Sequence, residues 1–148
     1  MNTYRAGIDI GSTTVKLVLL DEEGKLLFGE YRRHCAHTQE ALSALLREAR
    51  ERGVPVRAET LEASERVGDC ALRAKITGSG AINLAKALGI PFVQEVVAVA
   101  DALRREAPQT DVAIELGGED AKIIYFGTTL EERMNGVCAG GTGSFIDQ

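Results

Sequence analysis

Two short turns of this sequence combine a carboxylate with glycine, and each lies between two apolar, strand-like segments. The first is Asp9-Ile10-Gly11-Ser12-Thr13, and the second is Glu115-Leu116-Gly117-Gly118-Glu119-Asp120. Glycine lets backbone N–H groups approach phosphate oxygens closely, and a carboxylate can orient a hydrated divalent cation between phosphates. One such turn is weak evidence, because Asp-x-Gly occurs in many plain hairpins. Two of them, about a hundred residues apart, predict a phosphate that is held from both sides.

The segments around these turns predict an α/β fold. We expect strands and helices in the order βββαβα, followed by a new β-hairpin. The expected strands cover residues 4–10, 14–20, 26–32, 75–80, 111–116, 121–126 and 130–134, and the expected helices 38–53, 81–88 and 96–105. Residues 56–72 indicate a strand with a connecting loop, and a glycine-rich loop then opens a last helix. This order predicts a first subdomain over residues 1–108 and the start of a second over 109–148.

Composition and charge exclude several classes of protein. The net charge is −5 and the basic residues alternate with acidic ones, which argues against nucleic-acid binding. No apolar run reaches the ~18 residues of a membrane span, and an odd number of cysteines is not a secreted disulfide framework. We therefore expect a cytoplasmic protein. The sequence stops at Gln148 in what looks like the first turn of a helix, so we expect the N-terminal part of a longer chain.

Four segments carry a resemblance to a known family. Residues 7–16 resemble the first phosphate motif of the actin, sugar kinase and Hsp70 ATPase superfamily. Residues 76–80, 115–122 and 134–145 resemble the BadF/BadG and 2-hydroxyglutaryl-CoA dehydratase activator family, in the family's order; the last segment, with its cysteine and glycines, is the most specific.

The resemblance implies a fold, cofactors and partners. Members of that family are ATPases with two RNase H-like (actin-like) halves, each a mixed sheet with flanking helices. ATP with Mg²⁺ lies between the halves. They form homodimers around a bridging [4Fe-4S] cluster. ATP hydrolysis drives a low-potential electron into a partner dehydratase or reductase that acts on CoA esters.

In the first turn, the resemblance makes Asp9 the acid that orients Mg²⁺-bound water near the γ-phosphate. Gly11, Ser12 and Thr13 then offer amides and hydroxyls to phosphate oxygens. The structural alternative is a hairpin in which Asp9 caps its own turn. Lys16 either neutralises phosphate charge or reaches solvent, and the sequence leaves both open.

Glu95 stands at the start of an expected helix. It either positions the attacking water, as an acid or Gln often does in the superfamily, or is a favourable acid at a helix N-terminus. Glu115 stands where relatives carry Asp, and its extra methylene leaves the metal geometry open. Gly117 and Gly118 are interpreted as glycines that let a phosphate approach.

Near the end of the sequence, the resemblance makes Cys138 the expected cluster ligand, since thiolates hold iron–sulfur clusters and a helix N-terminus lowers a thiol pKa. The structural alternative is a small buried residue in a glycine turn. Gly141, Thr142 and Gly143 are expected to bind an anion or to turn the chain. The resemblance places the second cluster ligand after Gln148, so we expect no cluster on these residues alone.

The remaining cysteines and histidines match no motif. Cys35 and Cys70 are interpreted as structural residues. His34 and His37 form a weak His-x-x-His pattern, for which we expect a solvated pair rather than a metal site.

Three functions remain open at this point. The first is an ATP-hydrolysing activator that gates electron transfer. The second is a sugar or small-metabolite kinase of the same superfamily, and the third is a folded half without turnover. We expect residues 1–148 to bind ATP more weakly than micromolar, because half of the nucleotide contacts would be missing.

Overall fold

The computed structural model describes residues 2–55, 70–136 and 142. The chain divides into two compact units, Met1–Val93 and Gln94–Gln148. This division falls earlier than the predicted subdomain boundary after residue 108, which stays a prediction. The helix over 95–106 belongs to the second unit, where its first residue, Glu95, forms an ion pair with Lys122.

The first unit is a four-stranded mixed sheet with helices. Its strand order is β3-β2-β1-β4, in which β1 pairs antiparallel with β2 and parallel with β4. Its elements are β1 (Asn2–Ile10), β2 (Thr14–Leu20), β3 (Leu26–Arg33), α1 (Thr38–Glu51), β4 (Cys70–Thr77) and α2 (Ile82–Leu88).

Alternation and helical spacing build the core of this unit. In β2, Val15, Leu17 and Leu19 are fully buried, because every second side chain of a strand points to the same face. One face of α1 packs on β2 and β3 through Leu42, Leu45 and neighbouring apolar residues. The α/β fold with a mixed sheet is thereby confirmed.

The strand β4 begins earlier than predicted, at Cys70 rather than at Lys75. Its apolar residues Leu72, Ala74 and Ile76 alternate with Arg73 and Lys75, which is the pattern of a strand with one buried face. Pairing with β1 extends from Asn2 to Asp9 and keeps the whole segment extended. The rest of the predicted 56–72 segment lies outside the described residues, as does the predicted last helix.

The second unit contains α3 (Glu95–Glu106), β5 (Val112–Leu116), β6 (Ala121–Phe126) and β7 (Leu130–Met134). Its strands form an antiparallel sheet in the order β5-β6-β7, with Ile124 fully buried on β6. Among the described residues, no helix is both long enough and apolar enough to cross a bilayer.

Candidate functional site

The first acidic turn begins where β1 ends, and its acid already has one partner. Asp9 is the antiparallel neighbour of Lys16, and the Lys16 Nζ lies 2.6 Å from the Asp9 Oδ2. The Lys16 side chain is 53% exposed. An ion pair this exposed contributes about 0.2–1 kcal/mol to the free energy of unfolding. The pair therefore holds the lysine next to the carboxylate but adds little to the stability of the fold.

The other oxygen of Asp9 has no such partner. Asp9 Oδ1 is buried and, among the described residues, makes no hydrogen bond; the same holds for the hydroxyl of Thr77. Asp9 and Thr77 are neighbours in register on the parallel strands β1 and β4, so both stand at the carboxyl ends of these strands. Ligands bind at such strand ends in open α/β sheets. A buried polar atom without a partner costs about 1–3 kcal/mol, which a bound ligand would remove.

Gly78 keeps the space next to this carboxylate open. Its φ of +100° is in the region that favours glycine. A Cβ there would lie 2.6 Å from Asp9 Oδ1 and within clashing distance of the Ile10 carbonyl. The backbone after β4 can therefore approach the acid only because residue 78 has no side chain. The predicted glycine turn after β4 is thus part of the acidic site.

The second acidic turn is closed by its own hydrogen bonds. Glu115 and Lys122 are cross-strand neighbours on β5 and β6, and the N–H of Gly117 donates to the Asp120 carbonyl at 2.8 Å. The amide of Gly117 is thus engaged within the hairpin. Gly117 can therefore let a phosphate come close to the backbone, but its N–H is already bonded to Asp120 and does not donate to a phosphate.

Lys122 connects this hairpin to α3. Its ammonium forms an ion pair with Glu95, the first residue of α3, and the Lys122 side chain is only 12% exposed. Burial alone would lower the Lys122 pKa. The hydrogen bond to Glu95, together with the charges of Glu95, Glu115 and Glu132, outweighs burial, and the pKa is raised. The predicted water-positioning acid is therefore the partner of a mostly buried lysine.

The predicted solvated histidine pair is wrong for one of its members. His34 is 9% exposed; its Nε2 lies 3.1 Å from the Gly11 carbonyl, and its Nδ1 accepts from the Ala36 N–H. Both ring nitrogens are thus occupied by backbone groups. His37 is exposed, and its Nδ1 lies 3.5 Å from Glu40.

Most of the segment predicted to bind an iron–sulfur cluster lies outside the described residues. Cys138, Gly141 and Gly143 are not among the described residues, whereas Thr142 is fully buried. Within residues 2–55, 70–136 and 142, no three His, Cys, Asp or Glu side chains come together as metal ligands. Cys35 is an exposed thiol.

Two contributors were missed as site residues, although their segments were recognised. Thr77 precedes a glycine turn at a strand end, and parallel pairing of its strand with β1 would have placed it beside Asp9. Lys122 follows the second turn by two residues. The antiparallel register of the hairpin, in which Leu116 pairs with Ala121, would have placed Lys122 opposite Glu115.

The sequence matches the BadF/BadG/BcrA/BcrD ATPase family over residues 6–148. The chain belongs to this family. It is 28% identical to the (R)-2-hydroxyglutaryl-CoA dehydratase activating ATPase of Acidaminococcus fermentans, over 99% of the chain and 52% of that protein.

Two solved structures share the fold. The activator of the 2-hydroxyisocaproyl-CoA dehydratase from Clostridium difficile, with bound ADPNP, is 27% identical, with a TM-score of 0.77 over 97% of this chain and 50% of that one. The A. fermentans dehydratase component A is 24% identical, with a TM-score of 0.73 over 98% of this chain and 52% of that one. The chain thus spans about half the length of these relatives.

Proposed function

We propose that this chain is the N-terminal part of an ATP-hydrolysing activator of a CoA-ester dehydratase or reductase. The observation that carries the proposal is the buried Asp9 Oδ1, which makes no hydrogen bond to any described residue and stands with Thr77 at the ends of two parallel strands. Family membership supports ATP as the ligand. The names of the two relatives, both of them dehydratase components or activators, support the class of partner.

The groups at the first turn fit a hydrated magnesium ion. Mg²⁺ prefers oxygen ligands and keeps several of its waters, so a single carboxylate oxygen with a nearby hydroxyl is a suitable outer contact. Asp9 Oδ1 and Thr77 Oγ1 are such groups. Bound magnesium would neutralise phosphate charge during hydrolysis. Asp9 would hold one of its waters in place, and the backbone of Gly11, Ser12 and Thr13 would receive phosphate oxygens.

In the second unit, the proposed roles are those of nucleotide-binding residues. Glu115 and Glu95 are the proposed acids, with Lys122 holding Glu95 in place. The proposed glycine and hydroxyl contacts are Gly117, Gly118, Gly141, Thr142 and Gly143. That the two acidic turns act on one nucleotide stays a prediction.

The electron-transfer part of the proposal depends on Cys138. A [4Fe-4S] cluster needs four thiolates, so one cysteine per chain requires a second ligand and a dimer. We propose that the full-length protein is a cytoplasmic homodimer in which Cys138 supplies one thiolate from each subunit. The electron would pass to the partner enzyme.

An Asp9→Asn substitution tests the nucleotide site. Charge-assisted hydrogen bonds contribute about 1.5–3 kcal/mol, so we expect the Kd for Mg²⁺–ADPNP to rise about tenfold or more. We expect the Kd of this chain to be above the micromolar range, and an NMR titration that follows backbone amides can measure such weak binding. The free energy of unfolding should change by less than about 1 kcal/mol, because the Lys16 ion pair is exposed.

The matched control is Asp21→Asn. Asp21 Oδ1 accepts from the N–H groups of Glu23 and Lys25 at 3.0 and 2.8 Å, and an asparagine keeps that acceptor oxygen. Its Kd should equal that of the wild type. An Asp9→Asn variant that binds Mg²⁺–ADPNP as tightly as the wild type would contradict the proposed site.

A Cys138→Ser substitution separates the activator from a kinase. In a protein of its relatives' length, purified without oxygen, we expect the wild type to be brown and to contain iron, and the variant to lose both. Phosphoryl transfer by a kinase would be almost unchanged by the same substitution. An iron-free wild type that hydrolyses ATP would contradict the redox part alone.

A further inference from the structure

His34 contacts the first acidic turn from the strand next to it. It follows β3 directly, and its backbone N–H donates to the Thr13 carbonyl at 3.1 Å. Its buried ring reaches the Gly11 carbonyl through Nε2 at 3.1 Å. One residue therefore holds two of the three carbonyls in the loop between β1 and β2.

The hydrogen bonds of the ring select one tautomer. The Ala36 N–H can only donate, and it points to Nδ1 at 3.1 Å, so Nδ1 must be the unprotonated nitrogen. The neutral ring then carries its proton on Nε2. The Gly11 carbonyl can only accept, so the contact at Nε2 is a hydrogen bond from the ring to the turn.

This hydrogen bond fixes the direction of an amide. A trans peptide is planar, so the carbonyl of Gly11 and the N–H of Ser12 point in opposite directions. Because the carbonyl faces the His34 ring, the Ser12 N–H faces away from it. Among the described residues, the N–H groups of Ser12 and Thr13 donate to no protein acceptor, whereas the Gly11 N–H donates to the Thr14 carbonyl at 3.0 Å.

The backbone after His34 holds the ring in this position. Cys35 and Ala36 have φ values of 45° and 68°, which residues with a Cβ rarely adopt. The tight turn that results is closed by the His37 N–H on the His34 carbonyl at 2.6 Å. In this conformation the Ala36 N–H lies against Nδ1, so the strained turn and the ring orientation support each other.

We propose that His34 is a positioning residue for phosphate binding, because it orients the Gly11–Ser12 peptide so that the Ser12 N–H faces the phosphate. The proposal rests on the proposed nucleotide site at this turn. His34 touches no reacting atom in this role. It acts only through the backbone of the turn.

Two substitutions separate the hydrogen bonds of the ring. In His34→Gln, the side-chain amide can occupy the position of Nε2 and donate to Gly11. In His34→Asn, the shorter side chain can accept from Ala36 in place of Nδ1 but does not reach Gly11. The matched control is His37→Asn, since the His37 side chain is 69% exposed.

The experiment is an NMR titration of the ¹⁵N-labelled chain with Mg²⁺–ADPNP. We expect His34→Asn to raise the Kd about tenfold and His34→Gln less than about threefold, as expected for one hydrogen bond. Without ligand, the Ser12 amide resonance should move in His34→Asn and stay near its wild-type position in His34→Gln. His37→Asn should match the wild type in both measurements.

The outcomes distinguish this proposal from the one on which it rests. A wild type without Mg²⁺–ADPNP binding overturns the nucleotide site, and the role of His34 with it. A wild type that binds, together with a His34→Asn variant of equal Kd or unmoved Ser12 amide, overturns the role of His34 alone. If His34→Asn does not fold, the Kd of His34→Gln for Mg²⁺–ADPNP tests the proposal. A folded His34→Gln variant with a tenfold higher Kd would show that a hydrogen bond to the Gly11 carbonyl does not restore binding, and would overturn the role of His34.

Discussion

The two acidic turns look alike in sequence but differ in what their side chains contact. At the first turn, Asp9 keeps one buried oxygen without a partner in the described structure, and its other oxygen contacts an exposed lysine. At the second turn, Lys122 lies between two acids, with Glu95 as its ion-pair partner and Glu115 across the strand pair.

This difference separates binding from stability. Groups that face a ligand should contribute to affinity and little to the free energy of unfolding, since their partners arrive only with the ligand. Groups that already hold one another should contribute to the free energy of unfolding. Substitutions at the two turns can test whether this division holds.

The largest effect is expected at Gly78, which follows β4 and keeps the space beside Asp9 open. A Gly78→Ala substitution places a Cβ in the Ile10 carbonyl at a φ of +100°, and a clash with backbone cannot be relieved by a side-chain rotation. We expect a loss of more than about 3 kcal/mol in the free energy of unfolding, measured in urea.

Gly53→Ala is the control for this prediction. Gly53 also has a positive φ, of +84°, but a Cβ there would meet no atom of the described residues within 4 Å. Its substitution should cost about 1 kcal/mol, from backbone strain alone. Equal losses at the two glycines would show that backbone strain rather than crowding sets the effect, which would contradict the role of residue 78 in keeping the space beside Asp9 open.

The next effect is expected at the second turn. Lys122→Met leaves the half-buried Glu95 carboxylate without its partner, and we expect a loss of about 1–3 kcal/mol, below the range for fully buried pairs. Lys16→Met removes the exposed ion pair of the first turn and should cost less than about 1 kcal/mol. Urea unfolding of both variants compares the two turns directly. A larger loss for Lys16→Met would reverse the division drawn between them.

The sequence predicted the strands and helices around both turns well, and the contacts between them poorly. Periodicity and glycine placed β2 and the two turns, because these are local properties of the chain. The neighbour of Asp9 on β4, Thr77, comes from parallel pairing between strands far apart in sequence, which local patterns do not specify. The same holds for the partner of Lys122 on α3.

His34 shows the same limit from another side. An isolated histidine near the end of a strand is usually solvated, and nothing in its neighbourhood predicted the left-handed turn at Cys35 and Ala36. That turn brings the ring back to Gly11. Its burial therefore depends on a backbone conformation that residues with a Cβ rarely adopt.

The smallest effect is the pH dependence of the Lys122 ion pair. The fold raises the Lys122 pKa above its ordinary value of 10.5, so the stabilisation is fully present below that pH and is lost as the pH rises through the raised value. The difference in unfolding free energy between the wild type and Lys122→Met should thus stay constant from about pH 8 to about pH 10 and shrink only above.

Measuring this difference cancels the titration of the other lysines and the tyrosines, which both proteins share. A difference that already shrinks between about pH 8 and about pH 10 would mean that burial outweighs the three acids and lowers the Lys122 pKa. The second turn would then hold a lysine that loses its charge at a lower pH than an exposed lysine does. In that case Glu95 would lack a charged partner at the upper end of this pH range, and the proposed role of Lys122 in holding Glu95 in place would be wrong there.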